Sequence, residues 1–341
     1  MKRLFFCLTV TLFICSSCEK DKDKTPDSFL SGNGVFILNE GNFGRATGSI
    51  SFYSYDSVKM FNNIFLNANQ RPLGDVPNSM LISGDKIFVV VNNSGKVEVV
   101  EKESFKSIAT ISDINSPRDI AEVSSTKAYV TSMYSDSVIV IDTKNDVISG
   151  YINIRRTSES IVVRDKRAYI ANCIGGNEIM VINTDTDKVI DSIKVAAEPE
   201  SMVFDKNGML WVLCNGGWAK EKEAELLAVN IASKDIKSLP FPSMADYPSC
   251  LRIDGTGSTL YFLNSAVQKL SIDDTAIPSG AFISSYFYNL GINPTTGDVL
   301  VTDALDYQQQ GNLLIYNSAG SLSATHEVGI IPGKMYFTTS K

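Results

Sequence analysis

The sequence predicts an all-β protein, a seven-bladed β-propeller, and three observations lead there. The first is a unit of about forty residues whose clearest copy runs from Pro117 to Ile152. Within it, residues 117–123, 126–134, 137–143 and 147–152 are apolar or alternating runs closed by Ser, Asp, Asn, Lys or Gly. That is the pattern of four short antiparallel strands joined by tight turns. The second is recurrence. A start made of Pro (once Ser), two residues and an apolar position returns at Pro77, Pro117, Ser158, Pro199, Pro248 and Pro332, at separations of 40, 41, 41, 49 and 84 residues. The last gap holds two periods, with a degenerate start near Asn289-Leu290-Gly291-Ile292. The third is a pair of complementary defects. The last start has one strand after it before the chain stops, and the first unit, Gly34 to Asn39, has no first strand before it. A C-terminal strand that completes the N-terminal blade removes both defects and closes the ring. No stretch carries a period of 3.6, which excludes helical repeat arrays.

Taken in order, residues 1–17 read as a secretory signal, with Lys2 and Arg3 ahead of an apolar run, Leu4 to Ile14, too short to span a bilayer. Cys15-Ser16-Ser17-Cys18 resembles a bacterial lipoprotein signal with Cys18 as the acylated residue, although Cys15 stands where that signal usually has Leu. The alternative is an ordinary signal peptide with an incidental Cys. Residues 18–32 then form a charged tether opening Glu19-Lys20-Asp21-Lys22-Asp23-Lys24. Its acidic start resembles surface-export signals of Bacteroidetes lipoproteins; a plain solvated spacer is the other reading. The propeller occupies residues 33–341, long for one ordinary core but normal when blades add core and surface together.

The chain carries 31 basic and 38 acidic residues, a net charge of −7, without a basic patch, so nucleic acid and anionic membrane surfaces are poor partners. Cys173, Cys214 and Cys250 show no C-x-x-C spacing. Cys173 and Cys214 fall at matching positions of neighbouring blades, so a disulfide is conceivable; buried free thiols are the favoured alternative. The only histidine is His326, which leaves no multi-His metal site and little room for a Ser-His-Asp arrangement. No Gly-x-Ser-x-Gly elbow or phosphate loop appears. No catalytic residues, no metal and no cofactor are therefore expected.

What remains is a ring of loops. The loops entering the innermost strand and those leaving the second strand open on the same axial face. The first set contributes Asn78, Arg118, Glu159 and Glu200 to a candidate ligand-binding ring, with Ser249, Asn289 and Lys334 at matching places. The second contributes Asn39, Glu40, Asn42 and Phe43, then Asn92, then Met133 and Tyr134. Asn172, Asn215, Trp218, Asn264, Asp303 and Tyr307 continue it around the axis. Asn after the second strand can also simply terminate the strand, and at most positions that is the favoured reading. Aromatic residues in the same loops have no packing reason to be there, and with amide and guanidinium donors they suit a large, polar, partly planar ligand. The long loop from Gly216 to Ala224 lies on that face as well.

Tyr129-Val130-Thr131-Ser132 and Tyr169-Ile170-Ala171-Asn172, each followed by an apolar strand ending Ile-Asp-Thr or Ile-Asn-Thr, resemble the YVTN repeats of YncE-type seven-bladed propellers. With the lipoprotein signal, the tether and the opening Asn39-Glu40-Gly41-Asn42-Phe43-Gly44, the chain resembles more narrowly the surface propeller lipoproteins of gut Bacteroidetes, the BtuG group among them. That resemblance implies an outer-membrane lipoprotein facing the cell exterior. It would capture cobalamin (vitamin B12) or a related corrinoid as ligand and pass it to a TonB-dependent outer-membrane transporter. No ligand contacts carry over residue by residue. A surface-layer or adhesion propeller that binds protein or glycan, and a lactonase- or lyase-like enzyme, are the alternative classes.

Overall fold

The computed structural model describes residues 32–172 and 174–338. The expected signal peptide, the expected lipidation at Cys18 and nearly all of the expected tether fall on residues outside those described, as does Cys173. Seven antiparallel sheets form a ring of blades, with no parallel pairing anywhere among them. The seven innermost strands are Pro332–Thr338, Pro77–Ser83, Pro117–Ser124, Ile161–Arg164, Pro199–Phe204, Ser249–Ile253 and Asn289–Ile292. Each neighbours the next around the axis, and the last neighbours the first. All six regular starts and the degenerate one at Asn289 thus open a blade.

Why the second strands read as near-continuous apolar runs follows from this stacking. Each blade has a neighbour on both faces, so both parities of a strand are buried. In the second blade Ile87, Val89 and Val91 pack with Phe36, Leu38 and Phe52 of the first blade. Phe88 and Val90 point the other way, onto Val130 and Ile139 of the third. Seven apolar clusters result, one at each interface between blades, and the core is distributed around the ring. The outermost strands have solvent on one side and alternate accordingly, as in Ser107–Ile111 and Val147–Asn153.

The ring closes as the end defects require. Pro332–Thr338 pairs antiparallel with Gly34–Asn39, which pairs on its other side with Ser49–Ser54. At the end of the ring opposite the candidate site, charged latches tie a blade to its neighbour. Lys86 Nζ bonds Asp146 at 2.8 Å and the carbonyl of Thr143 at 3.1 Å. Lys127 Nζ repeats the motif one blade on, at 2.6 Å from Asp187 and 2.6 Å from the Thr184 carbonyl.

Two features depart from the four-strand expectation. The sixth blade has three strands; beyond Val267–Ser271 the chain makes only one further bridge, Val267 with Ile283. Phe282 covers this edge beside Tyr261, and Lys269 Nζ lies over both rings, 4.7 and 5.6 Å from their centroids. The chain also makes a short helix, Ile64–Asn69, between the first and second blades, with Ile64 and Phe65 driven into the first interface. No helix of the described residues is long and apolar enough to cross a membrane.

Candidate functional site: a rim cleft above a charged axial channel

Asparagines that follow the second strands, and Asn78 at the start of an innermost strand, are turned into the fold. Asn39 Nδ2 donates to Ser49 Oγ and Ser51 Oγ at 3.1 and 3.0 Å. Asn172 Nδ2 donates to the carbonyl and hydroxyl of Thr157 at 2.6 and 2.9 Å. Asn215 Oδ1 accepts from Gly217 N, and Asn78 Nδ2 donates to the Arg118 carbonyl of the next blade at 2.6 Å. All four residues are buried. Their amides satisfy loop backbone and hydroxyl groups that would otherwise be orphaned, the strand-ending role that competed with ligand binding. Asn264 is half-buried and holds Asp246 at 2.9 Å, which orders the entry to the sixth blade.

A different subset is brought together at the surface. Glu40, Phe43, Asn92, Arg118, Met133 and Tyr134 line one cleft of about 500 Å³ between the loops of the first three blades, with Asn93, Asn115 and Ser116. Phe43 and Tyr134 are 76% and 68% exposed, so neither is spent on the core. The Phe43 loop is nonetheless tightly held. Asn42 N donates to Thr47 Oγ1 at 2.8 Å, and Asn42 Nδ2 donates to the Tyr307 carbonyl at 2.7 Å. Gly44 N donates to Asp75 Oδ2 at 2.6 Å. Gly41 starts the turn at φ +73°, where a Cβ would lie 2.5 Å from the Thr47 backbone. Tyr134 is fixed through its carbonyl, which accepts from Asn115 Nδ2 at 3.1 Å, while Met133 N bonds the Ser116 carbonyl at 3.0 Å. An exposed aromatic on a rigid loop loses little freedom on meeting a ligand.

Asp75 is buried beneath this loop and also accepts from Asn93 Nδ2. Asp75→Ala leaves the Gly44 amide and the Asn93 side chain without their acceptor, so about 1–3 kcal/mol of stability should be lost. Urea unfolding and limited proteolysis at residues 41–47 check it; unchanged resistance at the loop would show that Asp75 does not hold it.

Below the cleft an ion pair leads to the axis. Arg118 binds Glu159 with Nε 2.8 Å from both carboxylate oxygens and Nη2 at 2.6 Å. Glu159 in turn lines a channel of about 370 Å³ between the innermost strands. Glu200 also faces this channel, with Asp119, Cys250, Arg252, Asn289, Lys334 and Tyr336. Burial pushes the Glu200 carboxyl above its usual value, and one of its oxygens accepts from Cys250 N at 3.1 Å. Burial likewise raises Glu40, partly offset by the hydroxyl of Tyr288 at 3.0 Å and the charge of Arg118. Burial pushes the Cys250 thiol up to about 11, with the Glu200 charge adding to it. Burial alone would lower Lys334; the charge of Asp119 at 3.7 Å, with Tyr336 and Glu159, outweighs this and raises it.

Trp218, Asp303 and Tyr307 belong to the same face but not to the cleft lining. Trp218 is 84% exposed on the loop between Leu210–Cys214 and Glu225–Val229. Tyr307 meets Tyr288 edge to face at 5.7 Å, and Asp303 caps the turn before it through Leu305 N at 2.8 Å. The sequence reading missed Asp119 and Arg252 in the channel, and exposed Tyr247 and Tyr286 on the rim. The tyrosines stand just before the innermost strands Ser249–Ile253 and Asn289–Ile292, where no repeated motif marks them. Cys214 and Cys250 are buried free thiols. Among the described residues no group of three or more His, Cys, Asp and Glu is placed to hold a metal ion.

Similar solved structures share this fold. The chain is similar to a quinonprotein alcohol dehydrogenase-like protein from Bacteroides thetaiotaomicron at 12% identity and TM-score 0.70, over 90% of this chain and 78% of that one. It is similar to the periplasmic gluconolactonase of Pseudomonas aeruginosa at 12% identity and TM-score 0.67, over 91% and 100% of the two chains. A putative 6-phosphogluconolactonase from Bacteroides fragilis stands at 14% and 0.67, over 90% and 98%. At such identities the likeness is one of fold. No curated protein matches by sequence. Residues 33–339 match the family described as Domain of unknown function (DUF5074) over the whole ring of blades. The chain belongs to the DUF5074 family.

Proposed function

We propose that this propeller is a capture protein that binds its ligand at the rim cleft, and that the ligand is cobalamin or a related corrinoid. One observation carries the reading: two exposed aromatic rings, Phe43 and Tyr134, stand on rigid loops around a cleft also lined by Asn92, Asn93 and Asn115, whose amide N–H groups are held by Ser116 and Pro117, by Asp75 and by the Tyr134 carbonyl. A corrin offers a broad apolar ring system with carboxamides around its edge, so the aromatic rings would meet the corrin and the held asparagines would present their amide oxygens to its carboxamides. The ligand is too large to be enclosed and would seat one edge in the cleft. Capture is favoured over turnover because the charged side chains of the cleft are already engaged, Glu40 with Tyr288 and Arg118 with Glu159. As a surface lipoprotein anchored through Cys18, the chain would hand its ligand to a TonB-dependent outer-membrane transporter. Trp218 and Tyr286, 84% and 69% exposed and outside the cleft lining, suit that protein contact. The same two residues would serve an adhesion propeller, the second reading.

Calorimetric titration of the full-length chain with cyanocobalamin tests the assignment. One-to-one binding at nanomolar affinity, about 12 kcal/mol, is expected. Phe43→Ala and Tyr134→Ala should each weaken it about tenfold or more while leaving the thermal midpoint nearly unchanged, since both side chains are exposed. Trp218→Ala should impair transfer to a transporter more than capture. No heat at micromolar ligand would remove the corrinoid reading and bring adhesion forward.

A further inference from the structure

We propose that the axial channel is a second site, separate from the rim cleft, and that it binds a small zwitterion between Glu200 and Arg252. The channel's cavity of about 370 Å³ has room for a short aliphatic chain carrying one ammonium and one carboxylate. Its charges divide into pairs and a remainder. Arg118 and Glu159 neutralise each other at 2.6 Å, and Lys334 stands opposite Asp119 at 3.7 Å. Glu200 and Arg252 are the remainder. Glu200 accepts a backbone N–H from Cys250 and a hydrogen bond from the Ser201 side chain, and the charges of Arg252 and Lys334 reach it, but it forms no ion pair among the described residues. Arg252 spends Nη1 on the Leu251 carbonyl at 2.9 Å and Nη2 on Asn289 Oδ1 at 3.4 Å, and no carboxylate bridges it.

Two opposite charges that share a cavity without touching select against singly charged ligands. An anion that satisfied Arg252 would face Glu200, and a cation that satisfied Glu200 would face Arg252. A zwitterion meets both requirements, its ammonium on Glu200 and its carboxylate on Arg252, with Met202 and Ile161 against the aliphatic part. The Cys250 thiol, still protonated at neutral pH, presents a neutral wall. Glu200→Gln keeps the side-chain shape and an acceptor oxygen for the Cys250 N–H, so this variant is expected to fold.

The test is calorimetry on the full-length chain with glycine, β-alanine and 4-aminobutyrate as probes of increasing charge separation, and acetate and methylammonium as single-charge controls. The expected result is saturable one-to-one binding of at least one zwitterion, about tenfold or more tighter than either control. Glu200→Gln and Arg252→Met should each loosen it about tenfold, or about 1.4 kcal/mol, and Arg252→Lys should loosen it less than Arg252→Met. The proposal is overturned if no zwitterion binds at about 10 mM, if the controls bind as well, or if Glu200→Gln binds unchanged. Phe43→Ala should leave this binding intact, and a failure of corrinoid binding at the rim leaves the channel result to be judged by itself.

Discussion

A chain ending at Ile331 will not form the propeller. The strand it lacks, Pro332–Thr338, is the innermost strand of the first blade, and its removal bares the inner edge of Gly34–Asn39, whose six residues are all buried. Each backbone group left unpaired at such an edge costs about 1–3 kcal/mol. Several of them together rival the whole stability of an ordinary domain, about 5–15 kcal/mol. Met335 and Phe337 also leave the interface between the last and first blades. The expected result is loss of the cooperative thermal transition and of near-ultraviolet circular dichroism. A synthetic peptide of residues 332–338 added in trans should restore both. A truncated chain that melts like the full one would show that the ring does not depend on this closure.

The second large effect is expected at Glu98, a fully buried carboxylate on the strand Lys96–Glu101. It is held by Arg71 Nη2 and Lys96 Nζ, each at 2.6 Å, and by the hydroxyls of Ser107 and Thr110. Burial alone would raise its pKa; the bonds from Arg71, Lys96 and Ser107 outweigh burial and hold it below the usual carboxylate value. Its contribution is therefore full above the unfolded-state pKa and is lost as pH falls through the lower folded-state value. The double variant Arg71→Met, Lys96→Met strands the carboxylate without a cation and should cost about 3–5 kcal/mol near neutral pH. The sign of the pH dependence should also invert. The stranded carboxyl has a raised pKa, so the variant should gain stability between about pH 7 and 5, where the wild-type Glu98 contribution stays flat. Urea titrations at several pH values decide this; parallel curves would mean that the cluster is a solvated surface network.

How much of this was legible in the sequence depends on whether a feature is repeated or local. Starts at Pro77, Pro117, Ser158, Pro199 and Pro248 were readable because every blade needs the same turn into an innermost strand, and Asn289 was readable only through the period. Closure was readable because both ends were visibly incomplete. The six-residue helix after Asn63 is shorter than any window in which a 3.6 period can show, and Asn63 and Gln70 flank it with left-handed backbones at φ 56° and 55°. The missing fourth strand of the sixth blade is a local replacement, with Pro278 and Gly280 where a strand would run. In the site, the aromatic tips of Phe43, Tyr134 and Trp218 were readable as residues the core does not need. For the asparagines the strand-ending role was readable at most positions, but which partner each amide takes was not, because that is set by tertiary contacts such as Thr157 with Asn172. Arg252 escaped because a register shift between Ser249 and Arg252 breaks the alternation that would have aimed it at the axis.

The same closure governs how the molecule bears tension. Whatever pull reaches the fold through residues 1–31 enters at Gly34–Asn39, beside the point where Thr338 Oγ1 donates to the Gly32 carbonyl at 2.8 Å. That strand is flanked on both sides, by Pro332–Thr338 and by Ser49–Ser54. A strand clamped between two ladders must break bonds on both sides to move, whereas an edge strand can be peeled away from a single neighbour. A tug on the N-terminal side is therefore shared between the first and last segments of the chain. The seam of the ring is also the place where the chain's N-terminal side is anchored on two ladders at once.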